Sequence, residues 1–490
     1  MKPSTDLFDL IKSLTGSEKR YFRLSTSLQQ GNKEYLKLFE AVDSQNVYDE
    51  KAIRLRFKNE SSVKNITFTK NYLQKLIFRS LNSYNEERSI DSQLTNILNR
   101  CRILLDKGLI KQYFKTVKLG KQLALKHERF SYVLEFLEIE RQLTKKEELS
   151  KNDTNDIYIE ENNILDKIRK LNESKRAINI LFKIQRTRGV VRNKTDDESI
   201  DRILQPLSSD TAKNKTSVLE TETYYFAMYI ANEIKGDHEK AYYFIKKRFQ
   251  TVKSNKGIFQ NSLFNNYKDS YLMMITAASD SGRHKEADEH FRKFISEFGK
   301  AAEKDVDVSF THFDIKLNKA MNTETKTDSV KHFAELERYL ERHKNIITIN
   351  TYNGFYFKLS KYHFLKGEFN EALRILNVLF DSRHLKFSPF IEPYVRMLNI
   401  LTHYELGNIR LMNYLISSAI KYLKTKNKYY KTETSVLKYL KKAVKLKSSE
   451  SREEALNDFC KEINLLKKTE FEKNAFSYLD YSVWNKRKIF

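Results

Sequence analysis

The stretch that decides the fold is residues 356–380, YFKLSKYHFLKGEFNEALRILNVLF. On both sides of Gly367 its apolar residues recur three and four positions apart, a spacing that places them on one face of a helix. The stretch therefore predicts two amphipathic helices. Gly367 marks the turn between them, because glycine readily adopts the left-handed backbone that ends a helix. Since neither helix can bury its apolar face alone, the pair predicts stacking on further pairs.

The same pattern recurs at four glycines in the second half of the chain. A small or apolar residue stands five positions after each glycine, and a second apolar residue stands nine positions after it. The sets are Gly236, Ala241 and Ile245; Gly282, Ala287 and Phe291; Gly367, Ala372 and Leu376; and Gly407, Met412 and Ile416. This recurrence indicates an internal repeat. The fold class that it predicts is an all-α solenoid of stacked antiparallel helix pairs.

The repeat resembles the tetratricopeptide-like (TPR-like) helical repeats. That family pairs two antiparallel helices, with an aromatic residue early in the first, a glycine near the turn and a small residue in the second. Tyr356, Gly367 and Ala372 carry the match most clearly. The spacing is irregular, since 46 residues separate Gly236 from Gly282, against about 34 in the standard unit. The resemblance implies a stacked-helix surface that binds protein or peptide partners.

Four segments are predicted along the chain. Residues 1–90 form a small all-helical module, and residues 91–190 form a first helical-repeat segment. Residues 191–217 are polar and contain Pro206, which predicts a linker or a long loop. Residues 218–490 hold the TPR-like repeats and end in a capping helix.

Residues 49–81 leave two interpretations open. A short helix, a break and a longer basic helix could form a helix-turn-helix that reads DNA, with Lys64, Lys70, Lys75 and Arg79 on phosphates. Alternatively, the segment is a helical cap that seals the end of the array, which needs only its apolar residues. The connection is long for a tight turn, so the cap is favoured.

The composition fits a long helical chain with a basic surface. The 490 residues include only 12 Gly and 4 Pro, whereas sheet-rich folds need frequent turn residues. The formal net charge of +25 favours nucleic acids, anionic membranes or acidic proteins as partners. Lysine-rich helix faces that only contact water produce the same excess, and this is the favoured explanation of the charge.

The most basic stretch is residues 421–447, KYLKTKNKYYKTETSVLKYLKKAVKLK, whose single acid is Glu433. Lysines neutralise phosphates and tyrosines can stack on bases, so this stretch is a candidate nucleic-acid or anion site. The favoured alternative places the apolar residues in the core and leaves the lysines in water, because lysines lack the arginine fork that favours phosphate. The candidate contact residues are Lys424, Lys428, Lys431, Lys438, Lys441, Lys442 and Lys445.

Signatures of catalysis are missing from the sequence. We find no phosphate-binding glycine loop and no pair of histidines spaced to hold a metal on one helix face, so we expect no enzyme activity, no cofactor and no metal. Cys101 and Cys460 lie far apart, which is typical of a reducing compartment.

We expect no membrane span, because no apolar run reaches the roughly 18 residues that one requires. The sequence predicts a cytoplasmic, non-enzymatic scaffold for protein or peptide partners. The alternative is a nucleic-acid-associated or transcription-regulatory protein that uses basic residues of 49–81 or 421–447.

Overall fold

A computed structural model describes residues 5–27, 34–57, 66–86, 89–144, 151–207, 217–259, 263–299, 302, 304–322, 329–381 and 389–486. Within these ranges the fold is all-α, with 24 α-helices and no strand. Successive helices pack against each other as in an α-solenoid, which confirms the predicted fold class.

The first compact unit comprises residues 1–164. Its helices are α1 (Asp6–Ser13), α2 (Gly16–Ser27), α3 (Glu34–Asp43), α4 (Glu50–Arg56), α5 (Ile66–Asn85), α6 (Ile90–Asp106), α7 (Ile110–Lys126), α8 (Phe130–Thr144) and the beginning of α9 (Lys151–Thr187). Apolar side chains between Leu7 and Ile77 form one core beneath α1–α5. The segment predicted as a small helical module therefore has a core of its own.

The second compact unit comprises residues 165–490. It contains the rest of α9, then α10 (Lys194–Leu204), α11 (Val218–Lys235), α12 (His238–Ser254), α13 (Leu263–Asp280), α14 (His284–Phe298), α15 (Val306–Asn322) and α16 (Ser329–His343). It continues with α17 (Ile349–Leu365), α18 (Phe369–Asp381), α19 (Glu392–Glu405), α20 (Ile409–Thr425), α21 (Lys431–Ala443), α22 (Ser449–Leu466), α23 (Ala475–Tyr478) and α24 (Tyr481–Lys486).

The repeat register is confirmed in this unit. The four glycines have left-handed backbone, with φ of 75°, 79°, 78° and 69° at Gly236, Gly282, Gly367 and Gly407. The small or apolar residues five positions later are fully buried, each with 0% exposure: Ala241, Ala287, Ala372 and Met412. Each glycine ends the first helix of a pair, and in three of the four pairs an alanine lets the second helix pack closely.

The first helices of neighbouring pairs also contact one another. Helix α13 packs on α15, α15 on α17, and α17 on α19. These helices thus form one layer of the array. Helices α13 and α17 of this layer contribute side chains to the cavity described below.

Two segments differ from the predicted secondary structure. The predicted linker or long loop at residues 191–217 contains α10, followed by a 3₁₀ turn at Gln205–Leu207. Asn193 starts α10 by accepting a hydrogen bond from the Asp196 backbone NH at 2.8 Å. Ile200 and Leu204 are buried, which fixes the helix on its neighbours. Residues 208–216 lie outside the described ranges.

The predicted capping helix at residues 470–486 is three short pieces, namely a 3₁₀ turn at Glu472–Asn474, α23 and α24. The chain is extended at Leu479, with φ of −143° and ψ of 104°. Asp480 then begins α24 by accepting a hydrogen bond from the Ser482 backbone NH at 2.9 Å. Tertiary contacts of this segment, described below, outweigh its helical periodicity.

The predicted boundaries at residues 90, 190 and 217 stay predictions, and the division into two units falls within α9. Among the described helices, none combines the length and the apolar character needed to cross a membrane.

Candidate binding sites

The lysines of residues 421–447 lie on α20, on α21 and in the turns that follow them. All of them are exposed except Lys428, which is half-buried. The apolar residues Val436, Leu437 and Leu440 of α21 are buried. We call the exposed lysines of residues 421–447 the lysine surface. Six of the seven candidate contact residues belong to it: Lys424, Lys431, Lys438, Lys441, Lys442 and Lys445.

The interleaved tyrosines are largely covered by other side chains. Tyr439 is buried and stacks on Phe459, with 4.3 Å between the ring centroids. The guanidinium of Arg396 lies 4.2 Å from the centroid of the half-buried Tyr422 ring. Tyr430 is covered in the same way by Arg192, at 4.5 Å. The exposed part of this stretch is therefore mainly cationic, with little aromatic surface for stacking on bases.

Lys428 differs from the other candidate lysines because its ammonium is turned toward the protein. Its Nζ donates hydrogen bonds to the backbone oxygens of Arg188 at 3.0 Å and Pro389 at 3.2 Å. Burial, together with the nearby charge of Arg192, lowers the pKa of Lys428 to about 8. This lysine ties two chain segments together and is poorly placed to meet a partner.

Glu433, the single acid of the stretch, is buried in an ion cluster. Arg192 donates to both of its carboxylate oxygens, at 2.8 and 3.0 Å, and to Glu472 at 2.7 Å. The three side chains are 4%, 2% and 8% exposed. Glu472 also accepts hydrogen bonds from the backbone NH groups of Lys431 and Thr432, so it caps the start of α21.

The charge of Arg192 offsets the effect of burial on Glu472. Burial alone would raise the pKa of Glu472, but the Arg192 charge and the hydrogen bonds from Thr432 hold it below its ordinary value. Because Arg192 follows α9 while Glu472 lies near the C-terminus, the cluster joins the two ends of the second unit.

The predicted DNA-reading segment contains α4 and α5, and the connection between them, including Lys64, lies outside the described residues. Lys70 forms an ion pair with Glu50 and packs on Tyr48, so its charge is engaged within the module. Lys75 and Arg79 are exposed on α5.

The same exposed face of α5 carries three aromatic rings. Phe68, Tyr72 and Phe78 are 67%, 42% and 48% exposed, while Leu73 and Ile77 face the core. The helical period of 3.6 residues places these rings beside Lys75 and Arg79. The exposed face of α5 is therefore both aromatic and basic.

The second unit contains a cavity of about 500 Å³. Its walls come from the end of α9 and the residues after it, from α11–α13 and α17, from the two residues before α19, and from α23. The lining residues are Gln185, Gly189, Val190, Glu233, Ile234, His238, Asp280, Asn350, Gly354, Phe357, Lys358, Lys361, Phe390, Ile391, Ser477 and Tyr478.

Two lysines of α17 reach this cavity. Lys358 forms an ion pair with Asp314 and lies 3.9 Å from Asp280. Lys361 makes no ion pair with a described residue, and its Nζ donates to the backbone oxygen of Tyr478 at 3.1 Å. Burial and the neighbouring charge of Lys358 lower the pKa of Lys361 to about 8.

Residues 471–486, which we call the C-terminal segment, close one side of the cavity. The Asn474 side-chain amide donates to the backbone oxygens of Val191 at 2.8 Å and Lys235 at 3.0 Å. Tyr478 stacks on Tyr394, with 4.6 Å between the ring centroids. These contacts, together with that of Glu472, hold the segment against α11, α19 and the residues after α9. They explain why the segment does not form one continuous helix.

Sequence reasoning missed Lys361, Lys358 and Arg192. The two lysines stand three positions apart in α17, a helix whose other faces are almost entirely buried. Charged residues on such a helix indicate that one of its faces borders a polar site, and the sequence alone contains this indication. The sequence contained no signal for Arg192, because its two carboxylate partners lie 241 and 280 residues away.

Comparisons with protein-family models, with curated proteins and with solved structures find no match to this chain.

Proposed function

We propose that this protein is a non-enzymatic, TPR-like helical-repeat scaffold of the cytoplasm that binds an acidic protein or peptide through the lysine surface. The observation that supports this is the burial of Glu433, the only acid in residues 421–447, beneath that surface. The side chains of this stretch that a partner can reach carry positive charge without an acid among them. Aspartate and glutamate side chains of a partner complement such a surface.

A protein partner fits this surface better than nucleic acid does. The tyrosines that would stack on bases are covered, and stacking supplies much of the affinity in single-strand binding. Lysine also lacks the planar fork with which arginine grips phosphate. Cys101 and Cys460 are free thiols, as a reducing compartment such as the cytoplasm would keep them.

The proposal is tested by the binding of a glutamate-rich fluorescent peptide to the full chain, followed by anisotropy. Substituting Lys438, Lys441, Lys442 and Lys445 with Glu should weaken binding at least about tenfold, since each close charge pair contributes roughly 0.2–1 kcal/mol and reversal adds repulsion.

The matched control reverses four exposed lysines of α7 and its preceding turn, namely Lys107, Lys111, Lys115 and Lys118. This control changes the net charge by the same amount but leaves the lysine surface intact. Peptide affinity should therefore be almost unchanged. Equal loss in both variants would show attraction to net charge alone and would contradict a site on the lysine surface.

A second candidate function is single-stranded nucleic-acid binding, favoured by the exposed face of α5. Phe68, Tyr72 and Phe78 there can stack on bases while Lys75 and Arg79 contact phosphates. This function would use the first unit and does not require the lysine surface.

A labelled single-stranded oligonucleotide separates the two functions. If α5 binds it, Phe68→Ala and Phe78→Ala should each cost about 1–3 kcal/mol, and affinity should fall as salt is raised. Binding that is unaffected by both substitutions but lost on reversing the lysine surface would instead assign nucleic acid to α20 and α21.

A further inference from the structure

The cavity of the second unit holds one lysine, Lys361, that has no carboxylate partner among the described residues. Lys361 donates to the carbonyl of Tyr478 and makes no ion pair among the described residues. Lys358, three residues earlier on the same helix, is paired with Asp314. An anion entering the cavity would therefore meet Lys361 as its natural partner, in surroundings where low polarity strengthens charge pairing.

The acidic residues of the cavity are already engaged with protein groups. Glu233 lies 3.3 Å from the Nδ1 of His238. Asp280 accepts a hydrogen bond from the Asn318 side chain at 2.9 Å and lies near Lys358. These acids form no ion pair with Lys361, but they would repel a second anionic group placed beside them. The cavity thus favours a ligand with a single anionic group.

The remaining walls are largely apolar. Phe357 and Ile391 are buried side chains that border the cavity, and Tyr478 also lines it. The volume of about 500 Å³ falls in the usual range for small-molecule sites, about 300–1,000 Å³. A ligand here would carry an apolar body as well as its charge.

We propose that this cavity binds a small organic anion with an apolar body, whose single carboxylate or phosphate group pairs with Lys361. The site is separate from the lysine surface and goes beyond the proposed scaffold function. Because the Tyr478 carbonyl shares Lys361 with the ligand, bound anion would also contact the C-terminal segment.

Isothermal titration calorimetry on the full chain tests the site with phenylacetate, phenyl phosphate, citrate and benzyl alcohol. Phenylacetate or phenyl phosphate should bind, and whichever binds identifies the anionic group. Citrate should not bind because it has three separate carboxylate groups, and benzyl alcohol should not because it has no anionic group. Lys361→Met should weaken binding at least about tenfold, as expected for a lost charge-assisted hydrogen bond.

Two further variants complete the test. Lys285→Met removes an exposed lysine of α14, outside both proposed sites, and should leave binding unchanged, while Lys361→Arg keeps the charge and should retain binding. Trp484 fluorescence checks that each variant keeps the C-terminal segment folded. The proposal is overturned if neither phenylacetate nor phenyl phosphate binds, or if a folded Lys361→Met protein binds as wild type does.

Discussion

The second unit carries two sets of cations that the sequence does not distinguish. The lysine surface has many positive charges, which are exposed and form no ion pair with a described residue. The ion cluster and the cavity have few, namely the buried Arg192 and the half-buried Lys358 and Lys361, and each is fixed by specific contacts. Burial rather than number decides which cations hold the fold and which are available to a partner. A charge exposed to water costs little and can be replaced, whereas a buried charge depends on each of its contacts.

The largest effect expected from this contrast is at Arg192. Arg192→Met leaves Glu433 and Glu472 buried without their cation, which should destabilise the second unit by about 3–5 kcal/mol. Urea unfolding followed by the fluorescence of Trp484, the single tryptophan, measures the change. As a control, Arg374→Met breaks the more exposed pair with Glu337 and should cost no more than about 1 kcal/mol. Similar losses of unfolding free energy in both variants would contradict the idea that buried cations matter more to the fold than exposed ones.

A smaller effect, specific to pH, is expected at Lys361. Its folded-state pKa of about 8 lies below the ordinary 10.5, so between these values the unfolded chain binds more protons and Lys361 makes stability rise with pH. Lys361→Met should therefore flatten the stability curve in this window.

The charged groups near Lys361 are Lys358, Asp280, Asp314, Asp480, Glu233 and His238, and all of them remain in the variant. The free energy of unfolding is measured with urea at several pH values. Parallel pH curves for wild type and variant would contradict a lowered pKa of Lys361.

The smallest effect is expected on the lysine surface. Replacing Lys438, Lys441, Lys442 and Lys445 by Ala should change the free energy of unfolding by no more than about 0.5 kcal/mol per site, because their side chains are in water. A loss of several kcal/mol would mean that these lysines are structural and would weaken the proposal that they serve a partner.

Much of the fold could be predicted because its causes are local. Gly367 with Ala372, and the equivalent residues of the other pairs, encode a turn and a close helix crossing within a few positions. The three pieces of the C-terminal segment were not predictable in this way. Asn474 is held by Val191 and Lys235, and those contacts arise only once the array has folded.

The candidate sites were predicted less well for the same reason. The sequence identifies residues 421–447 as basic, but only the fold shows that Lys428 turns inward and that Glu433 pairs with Arg192. Likewise, the stretch that reveals the repeat also contains Lys361, whose role depends on a carbonyl 117 residues later. The spacing of apolar residues shows which face of a helix is apolar. It does not show what lies against the opposite face.

The most direct test compares two ligands with two variants. The affinities of the glutamate-rich peptide and of the better-binding small anion, phenylacetate or phenyl phosphate, are measured for wild type, for Lys361→Met and for the protein with Glu at 438, 441, 442 and 445. We predict a crossed result: Lys361→Met loses the small anion and keeps the peptide, while the surface variant loses the peptide and keeps the small anion. Loss of both ligands in either variant, or of neither ligand in both, would contradict the separation of interior and surface cations.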